Sequence, residues 1–179
     1  RSLATLNKLI ETKERAGRER AILGIVFSQS RFTEQTLTTF ANNLGAYRAY
    51  AESMSGMLTA AQKKRWDDMQ LLPEFRQVAD IHQQAFANAT ATEFSIDDAA
   101  WFDLATARIA KLTEFEKVLS DELSAEAAEL KRTALNQLMF LAVLLSLLGI
   151  VTVIVIRKMI HSMTDAVTTI EQTLVAVAS

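Results

Sequence analysis

Charged residues interrupt an apolar helical stripe near the start of this chain. Leu3, Leu6 and Ile10 recur at steps of three and four residues, which places them on one face of a helix. Continued by the same steps, this face carries Lys13, Gly17, Arg20, Gly24 and Phe27. A buried cation is costly unless it has a partner, so this face requires an anion close to Lys13 and Arg20.

Arg20 is the stronger of these two candidates for binding a ligand. Gly17 lies one turn from both Lys13 and Arg20 and leaves a gap where a side chain would otherwise project. A guanidinium presents a rigid fork of hydrogen-bond donors, which matches a planar anion. From spacing alone, pairing of Arg20 with a carboxylate across a helical bundle is favoured. The alternative is a small-anion site formed by Arg20, Lys13 and Gly17.

Arg108 is a second cation on an apolar stripe, between Ala105 and Leu112. It could complete the anion site or pair with an acid, and spacing alone favours the pair. Cysteine is absent and the two histidines, His82 and His161, are isolated, so we predict no metal site and no cofactor. Neither a nucleophile elbow nor a phosphate-binding glycine loop occurs, so we predict no catalytic residues in this segment.

The elements that must position these residues are helices. The chain of 179 residues has one proline and five glycines, and 92 residues between Gly56 and Gly149 contain no glycine. We predict an all-α antiparallel helical bundle. Its first helix runs from about residue 3 to 27, its second follows residues 30–33, and Pro73 starts a third segment. Residues 87–94 form a loop, and Ser95 with Asp98 caps a long last helix from about Ile96.

The run from Leu138 to Ile156 holds no charge across 19 residues. A helix of this length spans roughly 28 Å, close to the thickness of bilayer hydrocarbon. We therefore predict an external helical domain over residues 1–134, a transmembrane helix over 135–156 and a relay helix over 157–179. A buried core helix is the alternative, although core helices of this length usually keep a polar face.

Beyond the apolar run, a heptad pattern predicts a parallel helical dimer; its positions are Ile160, Met163, Val167, Ile170, Leu174 and Val177. The alternative is a helix lying on the membrane surface. Basic pairs flank both ends of the span, at 131–132 and 157–158, so charge does not set the orientation. The net charge of −2 argues against a nucleic-acid partner.

The segment KERAGRERA, from Lys13 to Ala21, resembles the signature Lys-Glu-x-Ala-Gly-x-Glu-Arg-Ala of the nitrate- and nitrite-sensing (NIT) domain. Trp101-Phe102, followed by Thr106, Arg108 and Ile109, resembles a second stretch of that family. The resemblance covers roughly residues 1–130. It implies two linked four-helix bundles that hold nitrate or nitrite by arginines from two Glu-Arg motifs. Arg20 matches the second motif. The first motif would lie upstream of Arg1, so we predict that the chain is an internal piece of a larger protein.

Residues from Arg157 onward resemble the first helix of a HAMP signal-relay module, with Ser162 near the position where that module usually has proline. Together the resemblances imply a receptor of the bacterial cytoplasmic membrane, of the chemoreceptor or sensor kinase type. The N-terminal domain would lie outside, and any catalytic output domain would lie downstream. The rival interpretation is a membrane-anchored bundle that serves dimerisation or partner docking without a ligand.

Overall fold

A computed structural model describes residues 2–90 and 96–178, with side chains described as far as residue 160. These residues form five helices and no strand: α1 (Ser2–Ser28), α2 (Glu34–Ser55), α3 (Ala60–Gln70), α4 (Pro73–Ala87) and α5 (Asp98–Ala178). The predicted all-α fold is confirmed. Residues 60–70 form a helix that was not among the predicted elements. Ser95, the predicted cap of the last helix, lies outside the described residues.

The chain divides into two compact units, residues 1–125 and residues 126–179. The first unit is an antiparallel bundle with four arms, in which α3 and α4 together make the third arm. One apolar cluster joins the first half of α1 to the end of α2, through Leu9 and Met54. A second cluster joins the end of α1 to the start of α2, through Leu23 and Phe40. Because each cluster pairs opposite ends of consecutive helices, neighbouring arms run in opposite directions.

Local sequence signals set the breaks between the arms. The Thr33 hydroxyl accepts a hydrogen bond from the Thr36 backbone N–H at 3.1 Å, and the Thr33 N–H donates to the Thr36 hydroxyl at 2.9 Å. Thr59 and Gln62 cap α3 in the same reciprocal way. Pro73 occupies the first turn of α4, where its missing N–H costs nothing. These caps satisfy helix N–H groups that have no partner within the helix.

We expect Thr33→Ala to destabilise the bundle by about 1 kcal/mol, because it removes the N-cap of α2. Urea unfolding followed by tryptophan fluorescence measures this change, since both tryptophans, Trp66 and Trp101, are buried in the first unit. Thr38→Ala is the matched control, because Thr38 is exposed within the same helix. Equal stability of the two variants would contradict the role of the cap.

The second unit consists of the part of α5 after residue 125. Among the described residues, α5 provides the one helical segment that is long and apolar enough to cross a bilayer. None of its most apolar window is buried, and Leu138, Phe140 and Leu148 are each more than 60% exposed. This exposure is not that of a core helix, the alternative raised by the sequence. Ser146 and Thr152 donate their hydroxyls to the carbonyls of Ala142 and Leu148, one turn back.

Candidate functional site

A fully buried carboxylate, Glu19, lies at the centre of the bundle. Its Oε1 atom accepts a hydrogen bond from Arg108 Nη2 at 3.0 Å. His82 Nε2 lies 2.7 Å from the same oxygen. These three side chains come from α1, α5 and α4, so one carboxylate oxygen joins three helices. Arg108 is only 2% exposed and faces the core.

Tyr47 completes this cluster from α2. The Arg108 guanidinium carbon lies 5.3 Å from the centre of the Tyr47 ring, a cation–π contact. Burial raises the pKa of the Tyr47 phenol; the charge of Arg108 opposes this shift and that of Glu19 reinforces it. The phenol therefore stays neutral at neutral pH. Among the described residues, Glu19 Oε2 and Arg108 Nε have no hydrogen-bond partner, so this ion pair is not bidentate.

Arg20, the next residue along α1, is half-buried and lies against α5. Its Nη1 donates to the Thr106 hydroxyl at 2.9 Å. Its guanidinium carbon lies 4.7 Å from the centre of the Phe102 ring. The Trp101 indole N–H donates to the Arg20 backbone carbonyl at 3.0 Å. Both the backbone and the side chain of Arg20 are therefore held by α5, and no carboxylate pairs with Arg20 within the described part of the chain.

Lys13 and Gly17 lie on the same side of α1 as Arg20. Lys13 forms an ion pair with Glu116 of α5. A Cβ atom added at Gly17 would meet nothing within 4 Å, so the space beside this glycine is open. Three of the four predicted site residues therefore line one edge of α1. The fourth, Arg108, lies in the core with the acid partner that the spacing favoured.

A surface cleft of about 340 Å³ opens beside the Phe102 ring. It is lined by Gly24 of α1 and by Asp98, Ala99, Phe102 and Asp103 of α5. Phe102 is 53% exposed and contacts both the cleft and the Arg20 guanidinium. The Arg20 guanidinium thus contacts an aromatic face and a hydroxyl of α5.

The predicted buried stripe of α1 is wrong except at Phe27, which is 4% exposed. Leu3 and Ile10 are 61% and 36% exposed, and Lys13, Gly17 and Arg20 are only half-buried. The stripe that faces the core lies one position away; it comprises Thr5, Leu9, Thr12, Ala16, Glu19, Leu23 and Val26. The apolar stripe that contains Arg108 holds better, since in α5 it is buried from Trp101 to Leu119. Beyond that point it is not, because Leu130 is 67% exposed.

Glu19, Phe102 and Thr106 are the functional candidates that reasoning from spacing missed. Glu19 lies between Ala16 and Leu23 at steps of three and four, which was the available signal for a buried acid. Phe102 and Thr106 are exposed positions of α5, so spacing did not mark them. The available signal was their place in the second stretch that resembles the NIT family. Among the residues described, no three His, Asp or Glu side chains meet as a metal site would require.

Neither the curated proteins nor the solved structures provide a match to this chain. A family model does match: the model described as nitrate and nitrite sensing (NIT) covers residues 1–124 of the 179. That span holds α1 to α4 and the first part of α5, and with them Glu19, Arg20 and Arg108. Because the match extends over more than half of the sequence, the chain belongs to the NIT family.

Proposed function

We propose that this chain is the sensing and membrane-spanning segment of a signalling receptor, and that it binds nitrate or nitrite at Arg20. The observation that carries the proposal is the burial of the Arg20 guanidinium together with its lack of an ion-pair partner among the described residues. This guanidinium is half-buried, and in the described part of the chain it has one hydrogen-bond partner and no ion-pair partner. The NIT match over residues 1–124 supports nitrate or nitrite as the ligand.

Arg20 suits a small planar oxyanion. A guanidinium has five N–H donors, and Thr106 takes up one of them, so most of the fork is open to a ligand. Partial burial strengthens a charge-assisted hydrogen bond relative to one made in bulk water. Lys13 remains a proposed contributor, although Glu116 now neutralises it. Gly17 would supply space for the anion, because no side chain fills the region beside it.

The pairing of the neighbouring cation favours a monovalent anion at Arg20. Lys13 lies on the same side of α1 and is paired with Glu116, whereas no carboxylate pairs with Arg20 in the described part of the chain. A second negative charge on a ligand would therefore find no free cation at Lys13 to offset it. Nitrate and nitrite each carry one charge, so they fit this balance better than sulfate does.

In the proposed mechanism, the anion alters the contact between α1 and α5. Arg20 contacts α5 directly, and Arg108 holds the same helix through Glu19. A change in the packing of α5 would pass along this helix as a small slide or rotation, which is how packed helices switch. Arg108 contributes to this mechanism as the residue that joins α5 to α1, and its direct contact with the anion remains a prediction.

The proposal for the whole receptor follows from the apolar part of α5. We infer that it spans the bacterial cytoplasmic membrane, with the bundle outside and residues 157–179 inside as a HAMP-like relay. The heptad positions after Ile160 support a parallel homodimer. The output would be that of a chemoreceptor or a histidine kinase, carried by a separate domain, while this sensory segment itself is not catalytic.

Arg20→Ala should lower nitrate affinity by roughly 10- to 100-fold, the loss typical of hydrogen bonds to a charged group. Calorimetric titration of nitrate and of nitrite into the chain in lipid nanodiscs measures this effect. Arg18→Ala is the matched control, because it removes the same charge from an exposed position of the same helix. Equal affinities of the two variants, or no binding by the folded wild type, would overturn the proposal.

A ligand-independent anchoring bundle is the second candidate. The observation that favours it is the pairing of the other two predicted site cations, since Lys13 meets Glu116 and Arg108 meets Glu19. In that case the polar groups would serve only to hold helices together. Nitrate titration separates the two candidates, because the anchoring bundle predicts no saturable binding.

A further inference from the structure

We propose that Thr106 and Phe102 are positioning residues, which hold the Arg20 guanidinium in the orientation that binds the anion. This inference rests on the proposed function, because it assigns the parts of the same site. Neither side chain was a candidate from sequence spacing, and both come from α5. The Thr106 hydroxyl accepts from Arg20 Nη1 at 2.9 Å, and the Phe102 ring lies 4.7 Å from the guanidinium carbon.

The two contacts restrict different motions of the guanidinium. The aromatic face of Phe102 attracts the cation and limits its position above the ring. The hydrogen bond to Thr106 fixes one nitrogen and so limits rotation about the end of the side chain. Thr106 and Phe102 are four residues apart, which places them on one face of α5. This face of α5 thus fixes both the distance of the guanidinium from the Phe102 ring and the direction in which its N–H donors point.

The backbone of Arg20 is fixed from the same helix. The Trp101 indole N–H donates to the Arg20 carbonyl at 3.0 Å, and Trp101 itself is fully buried. The neighbouring Glu19 accepts from Arg108 at 3.0 Å. Residues 101–108 of α5 therefore contact both the backbone carbonyl and the guanidinium of Arg20. An anion bound to Arg20 would be sensed first by this stretch of α5.

Preorganisation gives these contacts a measurable effect on affinity. A free arginine side chain samples many rotamers, and a ligand that immobilises it must overcome the loss of this rotamer entropy. A guanidinium already held in place loses less entropy on binding. Because one donor is bonded to Thr106 and others remain free, an anion can bind without breaking this contact. Removing the hydroxyl is therefore expected to weaken binding rather than strengthen it.

The test is calorimetric titration of nitrate into the chain in lipid nanodiscs, comparing wild type, Thr106→Val and Thr106→Ser. Valine preserves the shape of threonine without its hydroxyl, whereas serine keeps the hydroxyl. We expect Thr106→Val to lower affinity about 5- to 10-fold, less than the loss expected for Arg20→Ala, because the hydroxyl acts on the anion only through Arg20. Thr106→Ser should stay within about twofold of wild type. Because Thr106 is exposed, the unfolding midpoint should not change.

The same substitution made in an Arg20→Lys variant distinguishes a positioning role of Thr106 from a general structural effect. In Arg20→Lys the planar fork is absent, so Thr106→Val should then change affinity by less than about twofold. Phe102→Leu should weaken binding in the wild-type background, because leucine lacks the aromatic face.

Three results would overturn the inference. If Thr106→Val increased affinity, its hydroxyl would compete with the anion rather than position Arg20. If it left affinity unchanged while Arg20→Ala abolished binding, the proposed function would stand and the positioning role would be wrong. If folded wild type bound no nitrate or nitrite, both proposals would be wrong.

Discussion

Glu19→Gln is expected to destabilise the bundle by about 3 kcal/mol, because it leaves the buried Arg108 charge without a counter-ion. Glu19 is fully buried, and its Oε1 contacts both Arg108 and His82. A small bundle has about 5–15 kcal/mol of total stability, so this loss would be a large fraction of it. Urea unfolding of the chain in detergent, followed by the fluorescence of Trp66 and Trp101, measures the change.

Two variants make this experiment decisive. Glu14→Gln is the matched control, because Glu14 is exposed on the same helix and its loss should cost less than about 0.5 kcal/mol. In Glu19→Leu with Arg108→Leu, both charges are removed, and much of the lost stability should return. If Glu19→Gln were as stable as Glu14→Gln, the ion pair would contribute nothing to the bundle.

Leu145→Arg combined with Leu148→Arg, in the apolar part of α5, should reduce its membrane insertion to about half. Fourteen of the 19 residues from Leu138 to Ile156 are Leu, Ile, Val or Phe, which together favour insertion by about 4–8 kcal/mol. Each arginine near the centre of a span costs about 2.5–3.5 kcal/mol. One arginine therefore leaves insertion favoured, whereas two bring its free energy close to zero. A glycosylation-mapping assay in microsomes reports the inserted fraction.

Leu145→Ala with Leu148→Ala is the matched control, since it shortens the same side chains without adding charge. This control should insert like wild type. The single variant Leu148→Arg should insert nearly as well, because the rest of the helix offsets one charge. Full insertion of the doubly charged variant would contradict a transmembrane role for this segment of α5.

The NIT family match and the contacts of Arg20 involve the same two helices. The family match extends across both α1 and the part of α5 that holds this residue. The structure adds that Arg20 and its neighbour Glu19 have different surroundings. Glu19 faces the core and joins three helices, whereas Arg20 faces an edge that solutes can reach. Of these two adjacent residues, Glu19 thus stabilises the bundle, and Arg20 is the proposed ligand-binding residue.

Much of the fold follows from local sequence, because helix periodicity and capping act over a few residues. The step of three and four residues identified a buried stretch of α5, since Ala105, Arg108 and Leu112 are all buried. Thr33, Thr59 and Pro73 mark helix starts because each suits the unpaired N–H groups of a first turn. The uncharged run from Leu138 identified the apolar helix, since its composition alone sets its preference for lipid.

The rotation of α1 could not be read from its own residues. Leu3, Leu6 and Ile10 define one apolar face, while Leu9 and Leu23 define another about one position away. The tertiary structure buries the second face, because Glu19 on that face meets Arg108 and His82 from other helices. A buried charge is tolerable only where its partners come within hydrogen-bond distance, and those partners are 63 and 89 residues away in sequence.

The sequence by itself thus determined that Arg20 needs an environment able to hold a cation, since charge and spacing are local properties. Only the tertiary structure decided what that environment is. Packing of α5 against α1 places Thr106 and Phe102 against the Arg20 guanidinium. The same packing pairs Arg108 with Glu19. The physical reason is that a helix face has no preferred partner until the whole bundle has buried its apolar surface and paired its charges.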